Sequence, residues 1–182
     1  MSRWRILLAG LLASACLVPL SGLGTVFYSK DEALELAFGA GAAVEPVPVF
    51  LSDDQVTQIE RLAKVKVDSQ LFNFHVGKRG DKILGYAAIE SHLVRTQPET
   101  LLIVLSPQGE LVRLEMLAFH EPPEYQPPAR WMERLYRRAI PDLFLNQGVD
   151  GITGATLSSR ASLDGARKVM AIYRLAVQEG KG

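Results

Sequence analysis

The sequence predicts an α+β domain: a curved, mostly antiparallel sheet packed with helices, preceded by one N-terminal transmembrane or signal helix. Three observations carry this expectation. Runs in which apolar and polar residues alternate gather between residues 71 and 119, the period of strands with one buried face. Helical periodicity with capping signals flanks that cluster on both sides. Residues 6–29 carry no charged side chain, and a helix needs roughly 20 residues to span a bilayer core.

The apolar run comes first in the chain. Arg3 and Arg5 precede it, which places its start in the cytoplasm and the domain outside. Pro19, Gly22 and Gly24 are tolerated in spanning helices. A cleaved signal peptide also fits, because residues 13–15 read ASA, an A-x-A site. A third reading makes Cys16 a lipidated cysteine. All three export the domain to the periplasmic or outer side of a bacterial-type cytoplasmic membrane. The chain divides accordingly into residues 1–29 (anchor or signal), 30–70 (helical linker region) and 71–182 (main domain).

Ser29 followed by Glu32 has the capping-box spacing, predicting a helix over residues 30–38. The stretch GAGAAVEPVPVF reads as linker. Gly39 and Gly41 imitate a dinucleotide fingerprint, but no strand precedes them and Pro46 and Pro48 forbid a following helix. Ser52 and Gln55 repeat the capping box, with Val56, Ile59 and Leu62 on one face. Strands follow in LFNFHVGK and KILGYAAIES, then a hairpin with strands at 101–105 and 110–119 and a turn at Pro107 to Gly109. In the second hairpin strand, Val112, Leu114 and Met116 are expected to face the core and Leu111, Arg113 and Glu115 the solvent. HEPPEYQPP is a rigid loop. ARWMERLYRRA reads as a helix with Trp131, Leu135 and Ile140 inward, and the cluster Arg134, Arg137 and Arg138 as its solvated face. SSRASLDGARKVMAIYRLAVQEG closes the chain as a long helix, capped by Ser158 or Ser159, with Leu163, Ala166, Met170, Tyr173 and Val177 on one face.

Composition removes several function classes. Lys plus Arg equals Asp plus Glu at 20 each, and no basic block appears, so a nucleic-acid partner has no electrostatic footprint. One cysteine excludes an internal disulfide. His75, His92 and His120 are scattered without metal-ligand spacing. His75 is expected on a strand and His92 at the surface. His120 with Glu121 and Glu124 could be a metal cluster, but the intervening prolines favour loop structure.

The least ordinary stretch is DGITGATLSS, residues 150–159. It sits at the start of the last helix, where free N–H groups and the dipole favour an anion. Gly154 and Ala155 leave room against the backbone, and Thr153, Thr156, Ser158 and Ser159 supply hydroxyls. Physics alone leaves two readings open: an ordinary Ser/Thr-rich cap, or a site where a phosphate binds or is esterified.

Asp150-Gly151-Ile152-Thr153-Gly154-Ala155-Thr156 resembles the D-x-x-[S/T]-G-A-T motif of the FMN-binding domain family. That family includes the covalent-FMN subunits of the sodium-pumping NADH:quinone reductase and the Rnf complex. The resemblance implies that Thr156 carries FMN through a phosphoester, installed by an exported FAD-dependent flavin transferase. It implies that Gly154 and Ala155 permit close approach, that Asp150 and Thr153 serve recognition and the turn, and that Ser159 contacts phosphate or caps the helix. After the hairpin those subunits tend to carry a His-x-Glu-Thr-Pro-Gly type loop. Here the chain reads HEPPEY, stiffer and more acidic, which implies a smaller stand-alone relative. The expected function is an electron carrier between membrane redox partners, with no catalytic residue of its own. The alternatives are a flavin-free interaction module of the same fold and an exported flavin-dependent reductase.

Overall fold

The computed structural model describes residues 24–181. The apolar run before Gly24 lies outside the described residues, so the anchor, signal and lipid readings are not addressed by it. Among the described residues no helix is long and apolar enough to cross a membrane.

The fold is α+β, built on a six-stranded antiparallel sheet. Its strands are β1 (Thr25–Val26), β2 (Ala43–Phe50), β3 (Leu71–Arg79), β4 (Lys82–Leu93), β5 (Pro98–Leu105) and β6 (Leu111–Phe119). The order across the sheet is β1-β6-β5-β4-β3-β2, so β2 to β6 form one meander and β1 closes the far edge. Helices α1 (Lys30–Phe38), α2 (Asp53–Ala63), α3 (Ala129–Glu133) and α4 (Thr156–Ile172) complete the architecture.

Both capping boxes are present. Ser29 N donates to Glu32 Oε2 at 2.7 Å and Glu32 N to Ser29 Oγ at 3.3 Å. Ser52 and Gln55 exchange the same pair at 3.0 and 3.2 Å. Each box satisfies two orphan donors at a helix start, and each helix begins where the sequence places it.

The stretch expected to be linker is partly sheet: residues 43–50 form β2, paired along its length with β3. Pro46 and Pro48 are compatible with it because β2 is an edge strand. Two apart, their missing N–H groups fall on one side, and the open edge takes them. The uncharged run also ends inside the domain. Thr25 and Val26 pair with Phe119 and Ala118.

The sheet buries both faces unequally. On one face α2 and α4 pack over Phe74, Leu101, Ile103 and Leu114 in the main core. On the other, α1 lays Ala33 and Phe38 over Ala87, Leu102, Val104 and Leu117. Gly77 makes that packing possible, since a Cβ there would lie 2.3 Å from the Phe38 ring. The α1 helix covers only part of its face, leaving a groove of about 560 Å³ lined by His75, Ile89, Thr100 and Val26.

Three expectations are corrected by register and chain direction. In β6 a shift between Val104 and Leu105 pairs Leu111 with Leu105 and Arg113 with Val104. The bulge leaves Val112 exposed and turns Leu111 inward, while Leu114 and Met116 face the core as expected. Helix α3 ends at Glu133. Arg137 adopts φ +62, a left-handed turn that stops any longer helix, and Arg138 turns back to the carbonyls of Arg134 and Gly148. The arginine cluster is therefore a turn, not a solvated helix face. Trp131, Leu135 and Ile140 are nevertheless buried. Finally, α4 begins at Thr156 with Ala155 as its N-cap. Ser158 and Ser159 lie inside the first turn and are buried, so neither caps it. Beyond Ile172 the helix widens into a π-helical segment, Tyr173–Gln178.

Candidate functional site

The DGITGATLSS stretch is held in place from behind. Trp131 Nε1 donates to the Asp150 carbonyl at 2.9 Å, so the buried indole anchors the approach to α4. Leu145 and Val149 form a bridge just before it. Ala155 N bonds back to Ile152 O at 3.0 Å, and Ser159 N opens the helical ladder on Ala155 O at 2.9 Å. Gly154 stands at φ +87, where a side chain would be strained. The turn therefore favours glycine at 154, while Ala155 is buried beneath it.

The consequence is an open helix end. No side chain caps α4, and its first turn carries no acidic residue. The N–H groups of Thr156, Leu157 and Ser158 have no hydrogen-bond partner among the described residues. Free N–H groups at the head of a 17-residue helix concentrate the positive end of its dipole and favour an anion. Thr156 is exposed there, its hydroxyl held only by a 3.4 Å bond to Ile152 O. Thr153 and Asp150 are exposed on the same loop.

Opposite Thr156 the β4–β5 turn and the proline loop complete a cleft of about 160 Å³. Arg95, Val94, Tyr125 and Leu157 line it with Thr156 and Glu121. The exposed Arg95 guanidinium has no partner among the described residues. A cation, an aromatic ring and two aliphatic side chains therefore face the free amides across a small gap. Sequence reasoning missed Arg95, Val94 and Leu157. They lie in an unremarkable turn and within the first turn of a helix, and only folding brings them together.

Glu121 fixes this arrangement. Its Oε1 accepts from Arg95 N, Thr96 N and Gln97 N at 3.2, 2.6 and 2.8 Å, and from Thr96 Oγ1 at 3.3 Å. These bonds, the Thr96 and Gln97 amides foremost, hold its carboxyl below the ordinary carboxylate range. Glu121 has the structural role in the loop that the sequence favoured over a metal cluster: it staples the proline loop to the β4–β5 turn. The proline loop reaches α4 as well, through Ser158 Oγ donating to Tyr125 O at 2.5 Å.

Below the first turn lies a buried polar seam. Ser162 Oγ donates to Glu99 Oε1 at 3.1 Å, and both are fully buried. Glu99 Oε2 and Ser159 Oγ are buried without a partner in the protein. Burial pushes the Glu99 carboxyl up to about 8, against a smaller opposing effect of the Ser162 bond. His92, expected at the surface, is tucked against α4: a Cβ on Gly165 would lie 2.5 Å from its Nε2. Burial and, next, the Lys168 charge depress it to about 4, Asp68 opposing. His75 lies far from the cleft, in the groove on the opposite sheet face.

The chain compares with known proteins as this geometry suggests. Residues 96–171 match the family model described as FMN-binding domain. The matched segment runs from the β4–β5 turn through the hairpin, the proline loop and most of α4, so it contains the whole cleft except Val94 and Arg95. Residues 96–171, under half of the chain, thus resemble an FMN-binding domain, which suggests a flavoprotein. No curated protein and no solved structure matches it significantly.

The residues fit such a group. A phosphate needs donors and positive potential, and the α4 amides with Arg95 supply both. An isoalloxazine ring needs apolar and aromatic contact, which Tyr125, Val94 and Leu157 present. The orphaned Ser159 hydroxyl is buried one turn behind.

Proposed function

We propose that the protein is an exported electron carrier holding FMN covalently at Thr156. The observation that carries this reading is the position of Thr156: an exposed hydroxyl on the first residue of a long, uncapped helix, beside three free amides and facing Arg95. A phosphoester built on this oxygen leaves one negative charge at the spot where the dipole, the amides and the guanidinium favour it.

When bound, FMN supplies the ability to take up and release one or two electrons. The protein's residues do the rest. Gly154, by its left-handed turn, brings the backbone close without a side chain in the way. Ala155 packs inward and sets where the helix begins. Trp131 and Glu121 hold the two walls of the cleft, which limits reorganisation around a charged group. Tyr125, Val94 and Leu157 give a flavin ring an apolar wall. Thr153 and Asp150, exposed on the approach, are accessible to a flavin transferase. Covalent attachment keeps the cofactor in a compartment that cannot resupply it. Membrane redox proteins serve as electron donor and acceptor.

The decisive experiment is the intact mass of the denatured protein after export and co-expression with an active flavin transferase. The wild type gains the mass of one FMN less water, and Thr156→Val gains nothing. An unmodified wild type beside a modified control protein would remove the carrier reading and leave the flavin-free interaction module.

A further inference from the structure

We propose that the end of the sheet bearing Thr156 is a membrane-docking face, seated on the lipid bilayer itself. The proposal deepens the reading above and rests, of the three readings of the N-terminal run, on the one that keeps it as a membrane anchor.

Strand direction defines two ends. Phe50–Leu71, Leu93–Pro98 and Thr25–Phe119 are terminal pairs of the ladder and lie at one end. The α4 N-terminus lies there too, against Val94 and Arg95. The other end holds the β5–β6 turn and Tyr173. Seven large hydrophobics stand exposed among the described residues. Six of them, Val26, Phe27, Phe50, Leu71, Leu93 and Leu157, gather toward the Thr156 end, and only Val112 lies near the other. Phe50 is 75% exposed and Leu93 70%. Apolar side chains this open, collected on one end, mark a docking surface.

Chain length selects the occupant. The uncharged run from Ile6 reaches the domain at Gly24, which already lies against His120. Its 18 residues from Ile6 to Leu23 are close to the roughly 20 that a spanning helix needs. A kept anchor would leave no length for a spacer before Thr25. A domain tethered without slack at Thr25 must bring the end containing Thr25 to the bilayer surface. That end is the apolar one. Its charges are mixed: Asp53, Asp54 and Asp68 stand toward β2 and β3, Lys30 and Arg95 toward the middle. Docking therefore runs on apolar contact with the interfacial zone rather than on attraction to anionic lipid. In this seating the Thr156 cleft opens at the membrane surface.

The test uses the full chain in neutral phosphatidylcholine vesicles, with Cys16→Ser and one added cysteine carrying an environment-sensitive fluorophore. Labels at Leu93→Cys and Leu157→Cys are expected to shift to the blue and to be quenched by lipids with a nitroxide near the headgroup. A label at Val112→Cys stays water-exposed. The pattern persists in high salt and in the Thr156→Val background, so it does not depend on flavin. Labels at Leu93 and Leu157 as exposed as that at Val112, in protein that floats with the vesicles, overturn the docking face and leave the anchor standing. Protein that fails to float removes the anchor and the docking face together, while the intact-mass test still decides the flavin reading alone.

Discussion

The two ends of α4 are built on opposite principles. At its far end, Tyr173 is buried in a closed aromatic cluster. It packs edge-on to Phe74 at 6.0 Å and lies 4.9 Å from Tyr86, and its hydroxyl donates to Pro107 O at 2.8 Å. Among the described residues, no buried side-chain polar atom at that end lacks a partner. At its near end the helix starts on alanine and glycine, leaves three amides unbonded and buries a serine and a carboxylate oxygen without partners. Unsatisfied groups cost stability, so the difference teaches where this molecule keeps its stability and where it gives some up for a ligand.

The sharpest way to break the comparison is Tyr173→Ala. Losing a buried aromatic ring costs about 3–5 kcal/mol in a denaturant titration, and folded protein still gains the flavin mass. If the cost is below about 1 kcal/mol, the far end is not the stabilising one. A second test is pH. Glu99 ionises near 4.5 in the unfolded chain and near 8 in the folded one, so its stabilising contribution is full below 4.5 and is lost as pH rises toward 8. His92 has the opposite sign. It protonates near 6.5 unfolded and near 4 folded, so its contribution is present above 6.5 and lost as pH falls toward 4. Between pH 6.5 and 8 only the Glu99 effect remains of the two, and stability falls by on the order of 1–2 kcal/mol. Glu99→Gln flattens that slope in urea titrations across the window. An unchanged slope would mean that the carboxyl is hydrated and ionised at neutral pH.

Smaller effects sharpen the picture of the near end. Gly154→Ala places a side chain at φ +87 with open space around it, the nearest atom being Glu124 O at 3.9 Å. Backbone strain alone then costs about 1 kcal/mol, and thermal denaturation detects it. A loss several times larger would show that the loop is packed rather than open. Ser159→Ala changes stability least, by under about 0.5 kcal/mol, because its hydroxyl has no protein partner to lose. Reduced flavin loading in that variant, with stability intact, would assign the hydroxyl to the phosphate.

Legibility in the sequence followed the range of the forces involved. The two capping boxes were readable because their partners lie three residues apart. The strands between residues 71 and 119 were readable from alternation, which a one-sided core imposes. Thr156 and its neighbours stood out because the motif is one unbroken stretch. The β2 strand was hidden because prolines mark an edge strand and a linker alike, and only pairing with β3 distinguishes them. The Leu111–Val112 inversion was hidden because a bulge is set by the partner strand. Glu121 was readable as part of a structured loop but not as the residue that holds it, because its four donors lie 24 to 26 residues away.

The sequence by itself determined the α+β composition, the positions of α1 and α2, the main strands and the motif that belongs to an FMN-binding domain. These depend on local propensity and periodicity, which neighbouring residues set. Only the tertiary structure decided that α4 begins uncapped at Thr156, that Arg95 and Tyr125 face it, and that the chain enters the sheet at the same end. Those facts depend on which strand ends meet, and strand pairing joins residues far apart in the chain.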